Sequence, residues 1–162
     1  MKKEIAILAG GCFWGVEEIL RKVPGVIDTE VGYCGGEMSH PTYNDIKKGN
    51  TNHSEAVKIE FDSQQLSFEQ LLDYFFRLHD PTTLNRQGND IGTQYRSAIF
   101  CQTEEQRQTA LKKKELVSQS GRWAKPVITQ IAGDLPFFSA EKEHQDYLQN
   151  HPDGYNCHFL RD

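Results

Sequence analysis

No stretch of this chain approaches the ~18 consecutive apolar residues of a membrane span, and no cleavable leader is evident, so a soluble, cytoplasmic protein without membrane contact is expected. Basic excess is lacking too. The net charge is −5 and Lys112-Lys113-Lys114 is the only basic cluster, which argues against nucleic acid as a partner. The four cysteines, Cys12, Cys34, Cys101 and Cys157, form no C-x-x-C, and the histidines form no H-E-x-x-H. A structural zinc site, a thioredoxin-like motif and a catalytic metal are therefore disfavoured, and none is expected. Neither a P-loop nor a G-x-G-x-x-G occurs, and there is no repeat, low-complexity tract or linker. What remains is one globular domain, residues 1–162, with enough apolar sequence (37%) to bury a single core.

The most informative residue present is Cys12, within Gly10-Gly11-Cys12-Phe13-Trp14-Gly15. It lies between a short apolar run, Ile5 to Ala9, and a predicted helix. At a helix N-terminus, unpaired N–H groups and the helix dipole favour thiolate over thiol. The glycines allow a sharp turn and close approach, while Phe13 and Trp14 set apolar surface beside the sulfur. A lipoprotein cysteine is a rival reading, but the apolar run is too short and Glu4 interrupts its start.

Ile5–Ala9 reads as a buried strand and Trp14–Val23 as a helix stopped by Pro24-Gly25. Val26–Tyr33 is a second strand, and Thr42–Lys48 a short helix ended by Gly49. Glu55 to Phe61 alternates with period two, a strand with one buried face. Ser67 and Gln70 predict a capping box for a helix ending before Pro81, and Thr103 with Gln106 repeats the signal for a helix to about Ser120. Tyr95–Cys101 and Val127–Ile131 read as strands, and Ala140–Asn150 as a last helix. The order βαβ, then βαβ, predicts a ferredoxin-like split-βαβ sheet: an α+β two-layer sandwich with flanking helices.

A nucleophilic thiol needs an acid or base nearby. Glu55 begins a strand; beside Phe13 and Trp14 its carboxyl would be desolvated and stay protonated as a general acid, whereas at an open strand end it would be an ordinary surface glutamate. Tyr43 and Tyr95 begin predicted elements and can donate to an oxygen gaining negative charge, although taken singly core packing is the better explanation of each. Asp90 is the notable acid of the long polar loop from Asp80 to Gln94, where turn capping is the simpler alternative.

Gly11-Cys12-Phe13-Trp14-Gly15 resembles the signature of the A-type peptide methionine sulfoxide reductases. The match continues in order through Val31-Gly32-Tyr33, Gly35-Gly36, Tyr43, Gly49-Asn50-Thr51, His53, Glu55, His79-Asp80-Pro81, Asp90 to Ser97 and Glu143 to Leu148. The resemblance implies that Cys12 attacks the sulfur of a methionine (S)-sulfoxide, free or in a protein, releasing methionine and leaving a sulfenic acid. It further implies that Phe13 and Trp14 hold the methyl group, Glu55 protonates the oxygen, Tyr43 and Tyr95 hydrogen-bond to it, and Asp90 helps orient the substrate or the site's hydrogen bonds. It implies an α+β fold on a mixed sheet and no bound cofactor. Positions 52 and 54, Asn and Ser here, depart from the family's more usual Gly and Ala.

The family differs within itself in recycling cysteines. After Leu148 this chain has only Cys157, so it resembles members in which a tail cysteine resolves the sulfenic acid to a Cys12–Cys157 disulfide, later reduced by thioredoxin, or by dithiothreitol in vitro. A flexible tail, about residues 150–162, is expected to carry it. Cys34 and Cys101 match no catalytic position, though Cys34 in a Gly-rich loop could act as an accessory thiol. A monomer is expected. Two rivals are a thiol peroxidase, for which a methyl pocket is superfluous, and a non-catalytic module binding oxidised methionine, for which a resolving thiol is superfluous.

Overall fold

A computed structural model describes residues 1–162. The strand β1 (Lys3–Gly10) leads into helix α1 (Phe13–Leu20), strand β2 (Val26–Cys34), short helix α2 (Tyr43–Lys47), strand β3 (Ser54–Asp62) and helix α3 (Phe68–Leu78). A miniature hairpin, β4 (Arg86–Gln87) and β5 (Asp90–Ile91), and a 3₁₀ turn (Thr93–Tyr95) precede β6 (Ser97–Phe100). Then come helix α4 (Glu104–Gln119), strands β7 (Gln130–Ala132) and β8 (Phe137–Ser139), and helix α5 (Tyr147–Asn150).

Six strands form one sheet in the order β7-β6-β1-β3-β2-β8. The central four are antiparallel to one another, with β3 lying between β1 and β2, and β1 between β3 and β6. That is the predicted split-βαβ arrangement, and β7, parallel to β6, makes the sheet mixed. Alternation along each strand sorts the faces: Ala6, Leu8, Val57, Ile59 and Phe61 join the main core with the helices, while Ile7, Ala9 and Ala56 join a smaller cluster behind. Glu55 shares the parity of Val57, so the period-two pattern alone aims its carboxyl at the helix layer.

Helix α3 forms as its sequence dictates. Ser67 and Gln70 complete the capping box, and Leu71, Leu72, Phe75, Phe76 and Leu78 are buried. Phe75 packs its ring 5.2 Å from Phe76 and 4.5 Å from His79. Phe75→Ala is expected to cost about 3–5 kcal/mol, read as a lowered urea midpoint with an unchanged slope.

Other expectations give way to tertiary bonds. Helix α1 stops at Leu20, three residues before Val23, where tighter bonds from Lys22 N to Ile19 O and Val23 N to Leu20 O close its end ahead of Pro24. At α4, Thr103 caps the Gln106 N–H, but the Gln106 side chain accepts from Gln102 and donates to Glu4 and Ile5, so no capping box closes. Residues 127–129 are not strand, since Val127 N–H goes to Ser118 Oγ and Ile128 N–H to the Pro81 carbonyl. The single helix expected over Ala140–Asn150 is absent. Gln145 spends its side chain on both polar groups of Val31 and Asp146 adopts φ 53°, so the stretch breaks into a 3₁₀ turn (Lys142–His144) and a short α-helix (Tyr147–Asn150), while β8 occupies a stretch with no strand expectation.

Candidate active site

The site sits where β1 ends. Gly11 turns the chain at φ +98°, and a Cβ there would strike the Gln87 side chain at 2.7 Å, so glycine is required on both counts. Cys12 takes the N-cap position of α1, its carbonyl accepting Val16 N–H at 3.4 Å. The cysteine is buried, and burial, then the Glu55 charge, push its thiol well above the ordinary range; an N–H from Trp14 pulls the other way. The expected helix-stabilised thiolate is thus corrected: desolvation outweighs the helix terminus, and Cys12 rests as a thiol.

Glu55 reaches the same point from β3. Its Oε1 accepts the Phe13 N–H at 3.1 Å, and it is 2% exposed. Burial raises its carboxyl to about 8, against the Phe13 hydrogen bond and with help from Asp90. At neutral pH it carries a proton, so its charge bears on Cys12 only as pH rises past about 8. The alternative of a surface glutamate does not apply.

Tyr43 opens α2, anchored by its N–H on Glu141 at 2.9 Å, with its ring 6.4 Å from both Phe13 and Trp14. Burial and then Glu55 raise its phenol to about 12, and Tyr95, at the end of the 3₁₀ turn, is raised for the same reasons and also feels Tyr43, Asp90 and Cys12. Both are proton-bearing donors at neutral pH. Trp14 stacks on Tyr147 with ring centroids 3.9 Å apart and donates Nε1–H to His144 Nδ1 at 3.2 Å.

Asp90, on β5, faces the tail in this structure: its Oδ2 accepts the Tyr155 hydroxyl at 3.2 Å and the Cys157 thiol at 3.7 Å. Cys157 lies close enough that its charge registers on Cys12. The segment is fixed by His158, which is 7% exposed and bonds the Gly10 carbonyl through Nε2 at 2.7 Å. A Cβ on Gly15 would overlap the His158 ring and approach Asn156 Oδ1 at 2.8 Å. Gly15→Ala is therefore expected to dislodge residues 156–158 while leaving α1 intact, seen as faster alkylation of Cys157 and an unaltered helical circular dichroism.

Several partners escaped sequence reasoning. Glu141 also accepts the Tyr33 hydroxyl at 3.0 Å, and His144 stands 4.2 Å from the Tyr43 ring. His144 and Tyr147 fall in the motif from Glu143 to Leu148, which was the available signal; nothing local marks Glu141, Tyr155 or His158. Glu141, Glu143 and His144 could offer three metal ligands within 4.8 Å, but Glu141 and His144 already hold the aromatic wall together. Cys34 is not a loop thiol: it ends β2, fully buried, raised by burial to about 12, as Cys101 is to about 11.

Fold and site together define a cysteine-centred α+β reductase. The chain belongs to the peptide methionine sulfoxide reductase family, whose model matches residues 4–161. It is 53% identical over 156 residues (96% of this chain, 90% of the relative) to "Peptide methionine sulfoxide reductase MsrA" of Mycolicibacterium gilvum. Among solved structures, reduced Mxr1 of Saccharomyces cerevisiae is similar with a TM-score of 0.93 at 36% identity, covering 99% of this chain and 93% of that one. A structure of Mxr1 in complex with Trx2 matches with a TM-score of 0.67 at 26% identity, covering 99% and 91%.

Proposed function

We propose that this protein reduces methionine (S)-sulfoxide, free and within proteins, to methionine. The observation that carries the reading is the buried, protonated Glu55 carboxyl on the N–H of the residue after Cys12. The substrate methyl lies against Phe13 and Trp14, and Cys12 Sγ attacks the sulfoxide sulfur. As the S–O bond polarises, Glu55 gives its proton to the oxygen, to which Tyr43 and Tyr95 hydrogen-bond, and the carboxylate takes back the thiol proton that Cys12 loses on attack. Oxygen passes to Cys12 as a sulfenic acid and methionine departs. Asp90 orients the substrate before this step. Cys157 then forms a disulfide with Cys12, which thioredoxin reduces; the family likeness to Mxr1, solved with Trx2, supports that partner. No helix is long and apolar enough to cross a membrane, and the reading has a cytoplasmic monomer that needs no bound cofactor.

Each epimer of methionine sulfoxide supplied with dithiothreitol tests the assignment. The S epimer is expected to turn over and the R epimer to stay intact; an inert S epimer overturns it.

A further inference from the structure

Cys157 Sγ has two acceptors against it, Asp90 Oδ2 and His158 Nδ1, each at 3.7 Å. The second is chemically defined. His158 Nε2 lies 2.7 Å from the Gly10 carbonyl, which only accepts, so that nitrogen bears the ring proton and Nδ1 keeps a free lone pair. Burial lowers the imidazole below its ordinary range, so it is neutral and able to take a proton. The ring packs closely against Gly11 and Gly15 on either side of the Cys12-Phe13-Trp14 segment: a Cβ on either glycine would crowd it. The carbonyl that fixes the tautomer belongs to the strand end that presents Cys12.

Resting on the reductase reading above, we infer that His158 is the general base of the resolving step, taking the Cys157 thiol proton through Nδ1 as Sγ attacks the Cys12 sulfenic sulfur. The Cys157 S–H bond breaks and the S–S bond forms. The Cys12 S–O bond breaks, and the departing hydroxide recovers the proton from His158 as water. Cys157 sulfur is oxidised and Cys12 sulfur reduced to the shared disulfide level, so no outside oxidant enters. Asp90, beside the same sulfur, opposes the positive charge of the transient imidazolium, while Arg161 and His79 are the other ionisable groups that face the ring. Tyr155 is a positioning residue, its hydroxyl holding Asp90 toward the thiol. A base serves here because burial, with Asp90 adding to it, raises the Cys157 thiol although a hydrogen bond from Tyr155 pulls the other way.

Rapid mixing of the reduced enzyme with excess methionine (S)-sulfoxide separates methionine release from disulfide formation, the latter followed by thiol counting and by trapping sulfenic acid with dimedone. Wild-type disulfide formation is expected to vary little from pH 6 to 8. In His158→Gln, whose amide can still donate to Gly10, disulfide formation is expected to slow on the order of a hundredfold relative to methionine release. It should then climb about tenfold per pH unit, as reaction through free thiolate demands. His158→Ala leaves a ring-shaped hole, and added imidazole is expected to restore the step where pyrrole, of similar shape but without a basic nitrogen, does not. A wild-type rate and profile in His158→Gln, or slowing with a flat profile and no imidazole rescue, overturns the assignment. Failure of the wild type to release methionine sinks the reductase reading instead, and the base role with it.

Discussion

Glu55→Gln is expected to slow methionine release by about 10²–10⁴-fold in a single turnover, while Cys12 remains open to alkylation. The amide keeps the carboxyl's shape and can still accept the Phe13 N–H, but it has no proton to surrender to the sulfoxide oxygen. The pH profile separates loss of the acid from general damage. With the carboxyl at about 8, the wild-type reductive step is expected to decline as pH rises through that value, and the variant to lack this limb. Wild-type single-turnover rates would remove Glu55 from the acid role. The substitution should act on stability in the opposite sense to activity. A carboxyl raised from 4.5 to about 8 on folding holds its proton more tightly when folded, so the native state loses stability as pH rises across that window and levels off above it. The loss amounts to up to about 5 kcal/mol, and Gln does not share it. Glu17, buried between Thr29 and Asp146 and raised to about 7, adds a smaller fall common to both proteins. Melting temperatures of wild type and Glu55→Gln should therefore diverge between pH 5 and 8, with the variant the more stable.

Cys157→Ser is expected to release one methionine per enzyme at close to the wild-type rate and then stall with thioredoxin as reductant. Sulfenic acid on Cys12 would be trappable by dimedone, and dithiothreitol, small enough to attack it directly, would still support turnover. The effect is close to total because no other thiol can replace Cys157. Cys34 and Cys101 lie in the folded core with thiols raised to about 12 and 11, so they are neither ionised nor able to travel. Undiminished thioredoxin cycling would show that one of them does reach Cys12.

The contrast between those cysteines marks how far the sequence could be read. Strand periodicity placed β1, β2 and β3, capping placed α3, and their order produced the split-βαβ sheet, because these are local signals that the core reinforces. Glu55 was only half legible: its place at a strand start and the family motif named it, but a surface glutamate stayed an equal reading until the strand's parity with Val57 set it facing the helices. Its protonated state follows from depth of burial, which no window of sequence contains. The Cys12 reading failed on the same point: the helix terminus is local, but the desolvation that overrides it is not. From Ala140 to Asn150 helix propensity was real yet lost to bonds with residues over a hundred positions away, Gln145 to Val31 and Asp146 to Glu17. Histidine 158 offered no signal at all, because what defines it is the carbonyl of Gly10.

The chain's two tryptophans divide the molecule between them. Trp14 is stacked on Tyr147 and tied to His144 two residues from Cys12. Trp123 lies under the Arg161 guanidinium, 5.4 Å away, at the far end of the segment that carries Cys157. Each indole therefore reports optically on a different half of the catalytic cycle. On the proposed reading, quenching and emission wavelength at Trp14 are expected to follow what enters the proposed methyl pocket, and those at Trp123 whether the segment carrying Cys157 leaves its seat. With one tryptophan replaced by phenylalanine at a time, the remaining fluorophore is expected to time each event without a label.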